Sequence, residues 1–394
     1  MGNHIKRNSS IELLKVIALF FVVLCHSLPL YKFEGSTELE GFLNLRQSTG
    51  NFNQLLLIIF SHLGQVGNAL FIVPSAFFLL DNNEVKKSKI VQYIIDTFII
   101  SIIYLVVFII IKSKLPLVFI ISALLPITFN FYWFITCYIL LYAIHPWLNN
   151  IIKKLEKKQL FMANLCMFLL YCVISFTLDG KYYYSHLVGF IVYYFFVAYV
   201  KMYLPRLSTD RNANLKILAF CVCGFIALIV GTNYLGIRLF VTSGLVGNFE
   251  SFINPFIVGI SISAFNLCRL RTWNNKIINT VSSTSLLVFV ISNNNIVCSF
   301  IKPILFEYIY IHMSYRFIVV ICLSIAIVTM TISVLIALIY RKTIQKIISV
   351  CITKIIKICD LISTKVFIYI DSIEDKIGGG VQVTLYNLLP QFNL

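Results

Sequence analysis

Glu12, Lys15 and His26 share one apolar run, SSIELLKVIALFFVVLCH over residues 9–26. A charge at the centre of a membrane segment costs roughly 2.5–3.5 kcal/mol on insertion scales, so such groups face a protein interior and mark a pathway or a site. Lys15 and His26 stand eleven positions apart, roughly 16 Å along a helix axis. They are too distant to touch, but they can mark the two ends of one channel. A basic group at one mouth suits a phosphate-bearing donor. An imidazole, with a pKa near neutrality, suits general-base work on a hydroxyl. The same residues carry a plainer reading: Lys15 snorkels to the headgroups, Ser9 and Glu12 form a capping box, and His26 is interfacial. Spacing alone leaves both readings open.

To position such a run the chain needs a bilayer. Of its 394 residues 59% are hydrophobic and 12% charged, which excludes an ordinary soluble globular protein. Apolar segments of about 17 to 25 residues, enough to span roughly 30 Å of hydrocarbon, fall at 11–31, 62–80, 90–111, 131–148, 160–178, 187–204, 217–234, 252–268, 277–301 and 317–340. They predict an all-α integral membrane protein, a bundle of about ten transmembrane helices. The first run is long and lacks the small-residue cleavage site of a signal peptide, so it is expected to remain as the first helix. The stretch 115–129 is apolar but short and holds Pro116 and Pro126. It is expected at the interface or as a re-entrant segment, and 54–60 likewise.

The net charge of +16 lies in short clusters between apolar segments. With no basic domain and no aromatic-interleaved platform, it argues against a nucleic-acid partner. One alternate set of loops holds Lys6 and Arg7, then Lys86, Lys87 and Lys89, Lys153 to Lys158, Lys201 to Lys216, Arg269 to Lys276, and Arg341, Lys342 and Lys346. The other set is poorer, with Lys32, Arg46, Lys112, Lys114, Lys181, Arg238, Lys302 and Arg316. Both termini are therefore predicted cytoplasmic. The eleven Cys lack paired metal-binding spacings and read as buried small hydrophobes. Residues 5–345 form one transmembrane domain, and 346–394 a cytoplasmic tail that reads as amphipathic and membrane-associated. Without a sizeable extramembrane domain, any chemistry must take place inside the bundle.

Other polar groups fall within apolar segments. Asp96 could neutralise Lys15 if their helices adjoin, a structural ion pair rather than a catalytic one. Trp133 and Tyr132 open the fourth segment, where an aromatic belt and a pocket wall are both open readings. His62 and His145 read most simply as interfacial. Tyr182, Tyr183, Tyr184 and His186 read as surface aromatics, with sugar stacking as the other possibility.

The run from Arg7 through His26, with Ile11-Glu12-Leu13-Leu14-Lys15 leading to an apolar stretch that closes on His26, resembles the first-helix signature of membrane acyltransferase family 3. This family includes O-acetyltransferases of bacterial surface polysaccharides. GNALFIVPSAFFLL (67–80) resembles its second-helix motif, FYWFITCYILLYAIHPWLNN (131–150) its Trp-Phe helix, and NPFIVGISISAF (254–265) with IINTVSSTSLLVFVISNNN (277–295) its late pair. The resemblance covers residues 5 to about 345. It implies that acetyl-CoA binds from the cytoplasm as co-substrate, without a metal, and that the acetyl group ends on a sugar hydroxyl outside. The implied setting is a multi-pass protein of the bacterial cytoplasmic (inner) membrane. His26 falls on the family's essential histidine, as base or transient acyl acceptor. Lys15 falls on the basic position that contacts the coenzyme's phosphates, and Glu12 on an acidic position that orients Lys15 as an i,i+3 neighbour.

Departures accompany the matches. Lys15 stands where Arg is usual and lacks the bidentate fork. Ala76 replaces a Gly after Ser75, and Ser292-Asn293 replaces a His-Asp pair. Ser75, Trp133, Ser292 and Asn293 are carried as pocket or substrate positions, and Asn293, Asn294 and Asn295 either orient sugar hydroxyls or bond to neighbouring helices. A polysaccharide polymerase or flippase, and an acyltransferase relative weakened by Ser292, stand as the alternatives.

Overall fold

The computed structural model describes residues 7–28, 52–111, 115–129, 131–174, 185–233, 253–294, 296–298, 308, 317–356 and 358. Among them the chain is helical, without strands. In chain order the elements are α1 (Ser9–His26), α2 (Phe52–Leu79), α3 (Lys87–Ile111), α4 (Leu117–Leu124), α5 (Trp133–Lys154) and α6 (Lys157–Met167), the last running on as a π-helix over Phe168–Ile174. There follow α7 (His186–Tyr203), α8 (Pro205–Thr209), α9 (Arg211–Asn233), α10 (Pro255–Arg269), α11 (Lys276–Ser282), α12 (Ser285–Ser292), α13 (Ile318–Lys342) and α14 (344–356). Seven of these, α1, α2, α3, α5, α7, α9 and α13, are long and apolar enough to cross a membrane. The chain is an all-α, multi-pass membrane protein.

The expected crossings at 160–178, 252–268 and 277–301 rest on shorter or broken helices. α10 begins where Pro255 follows Asn254, whose side chain accepts from Phe256 N at 2.9 Å, an N-cap with Pro at the first helical position. The break between α11 and α12 has a chemical cause. Ser283, Thr284 and Ser285 each turn a hydroxyl back to a carbonyl one turn earlier, at 2.6, 2.8 and 2.8 Å, a local bond that competes with the helix. Contrary to the sequence reading, 54–60 is no separate interfacial piece, because α2 runs unbroken through it for 28 residues. The basic residues expected on the poorer side, Lys32 through Arg316, lie outside the described residues, as do Tyr182, Tyr183, Tyr184, Asn295 and the tail beyond 358.

α1 is the central element. Its first turn is capped by Asn8, which accepts from Ser10 N at 3.0 Å, rather than by a Ser9–Glu12 box. Ser9 instead reaches α11, donating to Asn279 Oδ1 at 2.8 Å and accepting from Asn275 N at 2.7 Å. α1 packs against α2 most extensively, and also against α10, α11, α12 and α13. Gly67 makes the α1–α2 crossing possible: a Cβ there would lie 2.5 Å from the Ala18 carbonyl oxygen.

One end of the bundle is tied by polar contacts. Asn149 donates to the Leu79 and Asn82 carbonyls at 3.0 Å each and accepts from Tyr194 at 2.6 Å. Lys201 meets Asp81 at 2.6 Å and, with Arg269, lies over the Phe77 ring. His145 is fully buried, its Nδ1 2.6 Å from the Tyr142 carbonyl oxygen, and His62 is also buried against neighbouring helices.

Candidate functional site

Beside the first turns of α1 the helices leave a cavity of about 340 Å³. α1 contributes Glu12 and Lys15, α2 Phe71 and Ser75, and α3 Lys89, Tyr93 and Asp96. α5 adds Phe134 and Tyr138, α11 and α12 the serines 282, 283 and 285 with Leu287 and Val290, and α14 adds Gln345. Arg7, just before α1, completes the wall.

Charge is unevenly spread in this wall, where Arg7, Lys15 and Lys89 face two carboxylates, Glu12 and Asp96. Glu12 is 8% exposed and already engaged. It accepts a hydrogen bond from the Ser282 hydroxyl, and Lys15 Nζ lies 3.5 Å from each of its oxygens. The two residues share a helix face because they are three apart. Lys15 keeps a quarter of its side chain exposed, so its remaining donors stay available to the cavity. Lys89 Nζ sits 4.5 Å from the Tyr142 ring centroid, a cation–π contact. Arg341 donates to the Ser283 hydroxyl, which fixes the break between α11 and α12 at the cavity's edge.

Asp96 does not pair with Lys15, as the sequence suggested it could. It is 3% exposed and accepts from Gln92 at 2.8 Å, Tyr340 at 2.9 Å and Gln345 at 2.6 Å. Three neutral donors satisfy a buried carboxylate, and they join α3 to α13 and α14. Gln345, the last residue of the expected 5–345 unit, thus belongs to the cavity wall.

The depth of the cavity is apolar. Phe134 gathers Phe71, Phe190 and Phe289 around it, with ring centroids 6.0, 5.3 and 5.2 Å away, in edge or tilted arrangements that aromatic rings favour. A polar, cationic mouth over an apolar floor can hold an elongated molecule with an anionic end and a less polar arm.

Of the residues singled out by sequence, Glu12, Lys15 and Ser75 line this cavity. Ser75 donates to the Phe71 carbonyl at 2.9 Å. His26, Trp133, Ser292 and Asn293 do not line it. His26 ends α1, half-buried, beside Cys25, whose thiol donates to the Ser61 carbonyl at 3.0 Å. Trp133 stacks on His186 with centroids 4.1 Å apart, while its neighbour Phe134 forms the floor. Ser292 and Asn293 are buried where α12 ends. Asn293 Nδ2 donates to the Phe289 carbonyl and to Ser292 Oγ at 3.1 Å each, and its Oδ1 is buried without a hydrogen-bond partner. Asn294 donates to the Tyr132 hydroxyl, and Tyr104 donates to the Ile291 carbonyl at 2.9 Å, so neighbouring helices bond to Asn294 and Ile291 but leave Asn293 Oδ1 unpaired.

Sequence reasoning passed over Lys89, Tyr93, Ser282, Gln345 and Arg7 as site residues. Lys89 reads only as loop charge that sets orientation, and Arg7 as such a charge and as the start of the first-helix signature. The others come from segments whose adjacency no local pattern announces.

A family comparison matches residues 8–338 to the acyltransferase domain of acyltransferase family 3. Comparisons with curated proteins and with solved structures return no match.

Proposed function

Because the chain belongs to acyltransferase family 3, we propose that it moves an acetyl group from acetyl-CoA to a hydroxyl of a bacterial cell-surface polysaccharide (O-antigen, capsule or exopolysaccharide) or of its lipid-linked precursor. The observation that carries the reading is the cavity, with Arg7, Lys15 and Lys89 at its mouth and Phe71, Phe134, Leu287 and Val290 deeper in. Coenzyme A has matching parts, a phosphorylated nucleotide and a slender thioester arm.

In this reading Lys15 and Lys89 hold phosphate oxygens by charge-assisted hydrogen bonds. Glu12 holds Lys15 in place, and Ser75 and the phenylalanine floor guide the arm. Lys15 supplies a point charge without the fork of Arg, which weakens the grip on a phosphate. The arm must then carry the intact thioester roughly 16 Å along α1 to reach His26.

There the imidazole takes the proton of the acceptor hydroxyl. The hydroxyl oxygen attacks the thioester carbonyl carbon, the C–S bond breaks, and the thiolate leaves and takes up a proton, giving an O-acetyl ester and free coenzyme A. A variant of the same scheme has the His26 nitrogen accept the acetyl group first and pass it to the sugar oxygen. Trp133, Ser292 and Asn293 orient the acceptor. The cavity end faces the cytoplasm of the inner membrane, with both termini inside and the carbohydrate outside. The 5–345 unit carries the chemistry, and the tail beyond it lies on the inner leaflet. No nucleic acid takes part.

Membrane vesicles that carry the chain and are supplied with radiolabelled acetyl-CoA test the donor half. Label is expected in polysaccharide, with the donor KM raised about tenfold in Lys15→Ala. Transfer from a longer acyl-CoA but not from acetyl-CoA would overturn the acetyl assignment, and transfer from neither would overturn the donor reading.

A further inference from the structure

The stripe Ser10, Leu13, Leu14 and Ile17 follows the i, i+3, i+4, i+7 spacing of one helix face and lies opposite Glu12 and Lys15 on α1. This second face borders a separate groove of about 530 Å³, within the roughly 300–1,000 Å³ of ligand-holding pockets. α9 contributes Leu215, α10 contributes Leu267, and Leu270 follows from the turn after it. The groove's charged groups are of one sign: Arg211 opens α9 and Arg271 follows α10, with Trp273 two residues on. Among the described residues no carboxylate lines it and neither arginine has an ion pair. In the cavity on the other face of α1, by contrast, two acids offset the cations.

Two exposed guanidiniums and an indole at helix ends, above an apolar slot whose Ile17, Leu215 and Leu270 are open to the outside, match a molecule with an anionic phosphate and a hydrocarbon chain. Guanidinium forks recognise phosphate, and tryptophan sits at headgroup level. Basic pockets between helices at the membrane surface favour anionic headgroups. We propose that this groove is a binding site for an anionic phospholipid of the adjacent leaflet, with its phosphate on Arg211 and Arg271 and an acyl chain along the Leu13–Ile17 face of α1.

The test is native mass spectrometry of the full-length protein in an uncharged detergent with equimolar phosphatidylglycerol and phosphatidylcholine. Wild type is expected to retain phosphatidylglycerol about tenfold over phosphatidylcholine. Arg211→Gln/Arg271→Gln should bring the ratio near one, and Ile17→Trp, which fills the slot, should lower retention of both lipids. Excess inorganic phosphate should leave the bound phosphatidylglycerol in place. Equal retention of the two lipids by wild type would overturn the proposal, as would a preference that survives in the double variant or displacement by phosphate alone. If the double variant does not fold, the wild-type ratio and Ile17→Trp still decide: retention of phosphatidylglycerol unmoved by Ile17→Trp would mean the lipid sits elsewhere.

Discussion

Ser282 and Glu12, 270 positions apart in the sequence, are joined by a hydrogen bond from the serine hydroxyl to the carboxylate. This bond pins the buried start of the first helix to the break between α11 and α12. Glu12 in turn lies within 3.5 Å of Lys15. The cation of the cavity mouth is thus set by a residue 270 positions from Glu12.

Ser282→Ala removes this bond while leaving the Glu12–Lys15 pair. Hydrogen bonds between membrane helices average about 0.6 kcal/mol and reach about 1.7, so a loss in that range is expected in reversible unfolding. A donor KM raised about threefold would accompany it if the bond positions Lys15.

Lys15→Ala removes a charged donor from the cavity. Hydrogen bonds to charged groups are worth about 1.5–3 kcal/mol, roughly a tenfold to hundredfold rise in donor KM. Lys15→Arg restores charge and adds the fork, so its KM is expected at or below the wild-type value. Initial-rate kinetics against acetyl-CoA separate the two variants.

Gly67→Ala places a methyl group 2.5 Å from the Ala18 carbonyl oxygen. Because that neighbour is backbone, relief requires α1 and α2 to part, and overpacking of this kind costs about 1–3 kcal/mol. A lower thermal midpoint in detergent is the expected result, and an unchanged midpoint would show that the crossing is looser than the geometry indicates.

Asp96→Leu leaves Gln92, Tyr340 and Gln345 without their shared acceptor, whereas Asp96→Asn keeps one carbonyl oxygen. Each buried polar group left unsatisfied costs about 1–3 kcal/mol, so the Leu variant should be the more damaged. Because Tyr340 and Gln345 belong to α13 and α14, faster hydrogen exchange over 344–356 is the specific sign to seek.

The sequence made α1 legible because its evidence is local. The apolar run, the i,i+3 spacing of Glu12 and Lys15, and the eleven-residue step to His26 all lie within a few turns. α2 was split at 62 for a physical reason. Ser61 and His62 interrupt its apolar run, and Gly64, Gln65, Gly67 and Asn68 dilute the hydropathy beyond, yet Gly64 and Gly67 are small because α1 passes against them. The fate of Asp96 was illegible because its partners Tyr340 and Gln345 lie 244 and 249 positions away. Lys89 was read as orientation charge, since nothing near it in the sequence indicates that α3 turns it toward Lys15 in one cavity.

The most direct test of the account is the O-acetyl content of surface polysaccharide, measured by proton NMR, from cells lacking this protein and complemented with wild type, Lys15→Ala or His26→Ala, at equal membrane abundance. The account predicts an acetyl signal restored by wild type, reduced with Lys15→Ala and lost with His26→Ala. Full acetylation with His26→Ala would contradict it, and unchanged acetylation in cells without the protein would remove the acetyltransferase assignment altogether.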